Sequence, residues 1–312
     1  MKITFIYVSL LLISCSKGET TVTPIAPKNL TGKVISTSQI NLSWMDNSQD
    51  ETGFKIERMR ETGIYNVIGT VSANVTSFND VGLELNTIYT YRICSFNSSG
   101  NSVFYSNLFV GNIISDIEGN GYNTIKINNQ IWIGKNLNVS YYRNGDQIPQ
   151  VSTPADWATL KTGAWCYYDN DPANESIYGK LYNWYAVNDK RGLAPTGWHI
   201  PSKTEWSSLT RYLNNLKNDS GEKLKEVGFL HWKDPNLNIS VTNETGFTAL
   251  PGGVRNTKGE YLIKNLSGIW WTSTPISPIS SWTISMNYLN NLVDSSSSSS
   301  NENGLSVRCV KD

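Results

Sequence analysis

Ten of the eleven tryptophans in this 312-residue chain lie between Trp132 and Trp282, and Trp44 stands alone before them. A buried indole removes about 150–250 Å² from water, worth several kcal/mol gross at about 25 cal/mol per Å². Ten such rings in one stretch require many elements to converge and cover them, whereas a single ring is served by an ordinary small core. The asymmetry therefore predicts two separate packing problems with a boundary near residue 112. Length agrees, since a chain of this size exceeds what one hydrophobic core usually serves.

The first residues, MKITFIYVSLLLISC, carry one lysine, an apolar run from Ile3 to Ile13 that is short for a bilayer span, and Ser14 before Cys15. Residues 1–15 therefore read as a signal peptide, with a linker over 16–23. Leu12-Ile13-Ser14-Cys15 resembles the bacterial lipobox, which implies acylation of Cys15 and membrane attachment through a lipid anchor only. The expected location is the cell envelope, as a surface-exposed outer-membrane lipoprotein. Basic and acidic residues balance at 26 each, so the field that would attract nucleic acid is missing and no nucleic-acid partner is expected.

Residues 24–111 alternate in short apolar–polar segments separated by turn residues, as in INLSW, GFKIER, YNVIGTV, TSFND, IYTYRICSFN and VFYSNLFV. Ile40, Leu42 and Trp44 share one face, as do Tyr89, Tyr91 and Ile93, so two half-apolar sheets must meet in a sandwich. LSW (42–44), DNSQDETGFKIER (46–58) and GLELNTIYTYRICSFNSSGNS (82–102) carry a resemblance to fibronectin type III domains. That resemblance implies a spacer or binding platform, with Leu83 and Tyr89 forming a tyrosine corner. Asp46, Ser48, Asp50 and Glu57 mimic a calcium loop, but Glu51 stands where the sharp turn needs glycine, so a polar turn is expected. Cys94 is read as a free thiol.

Residues 113–312 open with a predicted hairpin around Asn128-Asn129. Ile177, Leu181, Trp184 and Tyr185 have helical spacing. Ser202-Lys203-Thr204-Glu205 is a capping box, followed by Trp206, Leu209, Leu213 and Leu216 on one stripe. TGFTALPGG, GIWWTST, SWTISMNYL and GLSVRCVKD read as short β segments, and the Ser295–Ser300 run as a flexible surface loop. The layout is α+β. DIEGNGYNTIKINNQIWIGKNL, GAWCYYDND, YGKLYNWYAVND, GLAPTGWHIPSKTEW, GEKLKE, NETGFTALPGGVR, WWTST and GLSVRCVKD together are similar to the Fibrobacter succinogenes major paralogous domain. That resemblance implies a C-type-lectin-like fold, shared with the formylglycine-generating enzyme group. The expected architecture is an all-β fibronectin type III sandwich plus an α+β C-type-lectin-like domain.

Chemistry is sparse. His199 and His231, the two histidines, lie in separate segments with no adjoining cysteine, so a zinc site lacks closely spaced ligands. Pro201 and the helix cap favour His199 as part of a structural brace over a general base. The formylglycine-generating group uses a close cysteine pair near the end of the domain to bind copper. Here Cys309 has no neighbouring thiol, so no catalytic residue carries over. The resemblance instead implies a Cys166–Cys309 disulfide, tying an early segment to the last strand in an exported protein. Asp169, Asp171, Asn174 and Glu175 are weak calcium candidates, although the triplets that calcium-dependent lectins use are missing, and no cofactor is required. Adjacent Trp270 and Trp271 must face opposite sides of a strand. One of them, or Trp282, is a candidate platform for a sugar ring or a partner side chain. The expected role is non-catalytic recognition of a glycan or surface protein. A structural or assembly role in the envelope is the alternative, and an enzyme related to the formylglycine-generating group is the third.

Overall fold

The computed structural model describes residues 22–36, 38–60, 63–84, 87–111, 113–214, 219–237 and 239–312. Residues 1–21, including Cys15, and Leu216 of the helical stripe lie outside the described residues. Among the described residues no helix is long and apolar enough to cross a membrane.

The first part is an all-β sandwich. One sheet orders Lys28–Ser36, Gln39–Met45 and Ser77–Val81; the other places Gly53–Arg60 between Asn66–Ser72 and Ile88–Asn97, which also pairs with Tyr105–Gly111. Alternation does the work here: Ile40, Leu42 and Trp44 from one sheet meet Phe54, Ile56, Tyr91 and Ile93 from the other, all buried. Trp44 and Phe54 lie with ring centroids 5.6 Å apart. Asp80, on the first sheet, accepts from Arg58 Nη1 at 2.8 Å and from the Tyr91 hydroxyl at 2.6 Å, both on the second, so a buried carboxylate ties the layers together. At the corner, the Tyr89 hydroxyl accepts the Glu84 backbone N–H at 2.9 Å. The polar turn before Gly53 is closed by Asp46, which accepts the Ser48 N–H at 3.0 Å, while Glu57 is paired with Arg92 on the neighbouring strand.

The second part mixes small sheets with short helices. The hairpin Thr124–Ile127 and Gln130–Ile133 turns at Asn128, whose φ is +54°, a conformation asparagine tolerates. This hairpin joins a sheet whose order continues through Val310–Lys311 to Trp198–His199, so the beginning and end of the segment are paired. A second sheet runs Ser267–Ser277, Ser280–Asn287 and Ser298–Ser300. The serine run is thus partly an edge strand, correcting the expectation of a flexible loop: Ser298 to Ser300 pair with Trp282 to Ser280. TGFTALPGG, expected as a β segment, forms only an isolated bridge between Ala249 and Lys225.

Helix Lys203–Asn214 begins as its sequence requires. The Ser202 hydroxyl accepts the Glu205 N–H at 3.2 Å, and the Glu205 carboxylate accepts the Ser202 N–H at 2.8 Å. Its buried stripe of Trp206, Leu209 and Leu213 packs with Trp132, Phe247 and Trp270. The expected continuous helix through Tyr185 is instead two single turns, Glu175–Tyr178 and Trp184–Val187, separated by strand Leu181–Tyr182. Gly179, at φ +70° and ψ −163°, stops the first turn, and Leu181–Tyr182 then pairs with Trp165–Cys166.

Two large cores flank the final segment. Val307 and Cys309 belong to one and Val310 to the other, while Arg308 reaches the second side, with its guanidinium carbon 4.3 Å from the Phe247 ring centroid. Arg308 is 1% exposed and donates to Asn136 Oδ1 and to the carbonyls of Ile133 and Thr248 at 2.8–3.0 Å. Burial depresses its pKa.

Candidate functional site

The expected disulfide is not formed. Cys166 and Cys309 are free and buried, as is Cys94. Cys166 packs with Trp157, Tyr168 and Leu181, whereas Cys309 sits in a different core with Ile133 and Val307. Each thiol is satisfied as a small apolar side chain in its own cluster. Burial raises the Cys166 pKa to about 11 and pushes that of Cys309 up as well, so neither is a reactive thiolate at neutral pH.

Trp270 and Trp271 do point to opposite faces, but both faces are covered and both residues are 0% exposed. Trp270 enters the core with Trp206, its Nε1 donating to Asn136 Oδ1 at 2.8 Å; Trp271 enters the other, donating to the Tyr182 carbonyl at 2.7 Å. Neither indole is a surface platform. The sheet that carries them is an internal wall, covered on its second side by residues far away in sequence. Trp282 is half-buried, and Lys203 Nζ lies 3.0 Å from its ring centroid.

The four oxygen-bearing residues of the acidic loop do not converge. Lys180 Nζ and Asn138 Nδ2 occupy Glu175 Oε1 at 2.9 and 3.0 Å, and burial is outweighed by these bonds so that the carboxyl pKa falls. Asp171 caps its own turn by accepting the Ala173 N–H. Asn174 is buried, donating to the Tyr168 carbonyl, and Asp169 is 3.8 Å from Lys264 Nζ. Among the described residues no group of three or more candidate metal ligands gathers anywhere.

His199 does not pack inward with Trp198 and Ile200, which are buried. Its ring bridges two carboxylates, with Nδ1 2.7 Å from Asp312 Oδ1 and Nε2 2.8 Å from Glu205 Oε1. A neutral imidazole has one N–H, so holding both acceptors requires the imidazolium. Burial lowers the His199 pKa, but the bonds to Asp312 and Glu205 outweigh it and the net displacement is upward. The brace is therefore electrostatic, joining the last strand to the capped helix. His231 is held separately by Glu226 at 2.8 Å.

A site no short sequence window announces lies behind this brace. It is a partly open cavity of about 190 Å³. Val139, Leu193 and Ala194 supply an almost fully buried apolar base, with the ring of Tyr141, which is 37% exposed, at the rim. Arg143 lines the wall and is itself exposed, held by three hydrogen bonds. Its N–H donates to the Gly192 carbonyl at 2.7 Å, Nε to the Ala194 carbonyl at 3.0 Å and Nη2 to the Trp198 carbonyl at 2.8 Å. Gly192, at φ +80°, lets the following residues curl round the guanidinium; a Cβ there would sit 3.4 Å from Arg143 Nε. Asp116 also lines the cavity, but its carboxylate already accepts from the N–H groups of Glu118 and Asn120, from Asn120 Nδ2 and from the Tyr122 hydroxyl, all within 2.7–3.0 Å. Arg143 is hidden in a polar stretch, YYRNGD, and its partners are some fifty residues away, so sequence reading had no signal for it beyond the GLAPTGWH passage that wraps it.

The chain is thus a β-sandwich followed by a tryptophan-rich mixed domain with a guanidinium-lined cavity. It belongs to the Fibrobacter succinogenes major domain family, which matches residues 125–311. A fibronectin type III domain matches residues 25–110. An alpha-amylase of Niallia circulans is 38% identical over 81 residues, 25% of this chain; the chain spans 6% of that protein's length. Among solved structures, the FN1-FN3 domains of chicken CNTN1 are 23% identical, with TM-score 0.27, covering 28% of this chain and 32% of that one. The fn3 domain of human contactin 1 is 21% identical, with TM-score 0.26, covering 31% of this chain and 88% of that one. A beta-1,2-glucanase from Parabacteroides distasonis is 16% identical, with TM-score 0.26, covering 28% and 12%.

Proposed function

We propose that this chain is a non-catalytic recognition protein of the bacterial envelope, held to the outer membrane by a lipid on Cys15, with the sandwich as spacer and the mixed domain as a C-type-lectin-like head. The observation that carries the recognition reading is the cavity beside Arg143: a small apolar base, an aromatic rim and a guanidinium fixed by backbone carbonyls form a preorganised polar pocket. Pairing of the first hairpin with the last strand supports the lectin-like arrangement. The lipobox-like LISC supports the anchor. A glycan-array screen of the full chain tests the reading, with and without chelator. Saturable binding that survives chelation and is lost when Thr196, exposed at the cavity wall, is replaced by Trp supports it; binding indifferent to that block refutes the site.

Exposed apolar side chains favour a second reading, as a structural or assembly component. Val227, Phe229, Leu230 and Leu237 are each about half exposed or more, Leu230 reaching 81%. Clusters of this kind are a feature of protein interfaces. Cross-linking in intact cells, lost in Leu230→Glu but kept in Thr196→Trp, separates this role from ligand recognition.

A further inference from the structure

We propose that the ligand of the Arg143 cavity is a sugar ring bearing a carboxylate, a uronic-acid residue; this rests on the recognition reading above. Size sets the first limit. About 190 Å³ in a partly open cavity holds several waters and so leaves room for one ring-sized group, with any further part of a ligand lying outside the opening.

Hydrogen-bond capacity sets the second. A guanidinium has five N–H groups in a planar fork and accepts nothing. Arg143 spends Nε and one Nη2 hydrogen on the Ala194 and Trp198 carbonyls, and among the described residues no group accepts from Nη1 or the second Nη2 hydrogen. No carboxylate of the described residues is ion-paired with Arg143. The one acid in the wall, Asp116, has four donors on its two oxygens and no lone pair to spare. Arg143 thus keeps spare guanidinium donors at a cavity whose one carboxylate, Asp116, is already saturated, and an incoming carboxylate is the group that meets such a fork with two parallel bonds.

The remaining walls select what carries that carboxylate. Tyr141 and Ile117 offer exposed apolar surface, with the nearly buried Val139, Leu193 and Ala194 behind them. The C–H face of a pyranose lies well against such surfaces, while its hydroxyls remain toward solvent. Because Arg143 is already clamped at three points, counting its backbone N–H, little ordering of the protein accompanies binding.

The test is titration of the full chain with glucuronate and galacturonate, with glucose and galactose as neutral controls, followed by saturation-transfer NMR. Uronates should bind saturably and the neutral sugars at least about tenfold more weakly, as expected for loss of charge-assisted hydrogen bonds. Added salt should weaken the uronates alone. Arg143→Gln should reduce uronate affinity about ten- to hundredfold, and Arg143→Lys should fall between. Because Arg143 also holds residues 192–198, Thr196→Trp serves as a second variant: it fills the cavity, leaves the Arg143 bonds intact, and should abolish binding without moving Tm. Equal affinity for neutral sugars, with Arg143→Gln unchanged, overturns the uronate inference but leaves the cavity as a sugar site. Absence of binding by every sugar, charged or neutral, overturns the inference and the cavity reading together.

Discussion

The bridge from Glu205 through His199 to Asp312 can be broken by removing one proton. At 2.8 and 2.7 Å both contacts need an N–H from the ring, and neutral histidine supplies only one. The His199 pKa is raised, so its contribution to stability is complete below the unfolded value of about 6.5 and is lost as pH rises through the folded value. The imidazole is 41% exposed, so each pair is worth the modest amount of a solvent-screened ion pair, roughly 0.2–1 kcal/mol. Together they should supply about 1 kcal/mol, or about 2–4 °C in Tm for a domain of this size. Glu205 titrates in the opposite sense. Burial raises its pKa, the Ser202 N–H and hydroxyl and His199 outweigh that, and the net value is lowered, so its contribution is lost only as pH falls through the acid range. Between pH 5.5 and 8.5 Glu205 therefore stays charged, and the change within this bridge is the histidine's. Thermal melts of the full chain and His199→Gln should differ by a few degrees at pH 5.5, and the gap should narrow toward pH 8.5. A gap that persists unchanged at pH 8.5, or grows there, would refute the imidazolium argument.

Other consequences are equally direct. Trp270→Ala and Trp271→Ala should each lose about 3–5 kcal/mol in denaturant melts, since both rings are fully buried; a loss below about 1 kcal/mol would mean that one of them lies at the surface. Thiol reagents should leave Cys94, Cys166 and Cys309 unlabelled in the native protein and label all three on unfolding, with Tm indifferent to reductant; a Tm lowered by reductant would restore a covalent link. Ile263 holds φ +58° at a site where a β-branched side chain is strained. Ile263→Asn should raise stability by about 1 kcal/mol, read as a higher denaturant midpoint.

Local chemistry was legible in the residues. The capping box at Ser202 and Glu205, the turn at Asn128 and the alternation of Ile40, Leu42 and Trp44 are each decided within a few positions, and each appears as read. Alternation also placed Trp270 and Trp271 on opposite faces. What it could not say is that Tyr182 and Asn136, roughly ninety and a hundred and thirty residues earlier, close over those faces. Helical spacing around Trp184 misled for the same reason: Gly179 and the pairing of Leu181–Tyr182 with Trp165–Cys166 override it. The cavity is the extreme case, since its guanidinium and the carbonyls that orient it come from different parts of the chain and share no periodicity.

Arg308 gives the mixed domain a further property. A cation sealed at the seam of two apolar cores, bonded to Asn136, Ile133 and Thr248, reaches water only when those cores part, and a partial opening that breaks these bonds before water enters leaves the charge without acceptors. Neither core can loosen ahead of the other. The segment 307–310 thus acts as a bolt through both cores: the mixed domain should melt in one cooperative step, and early release of this segment should be as damaging as loss of a whole layer.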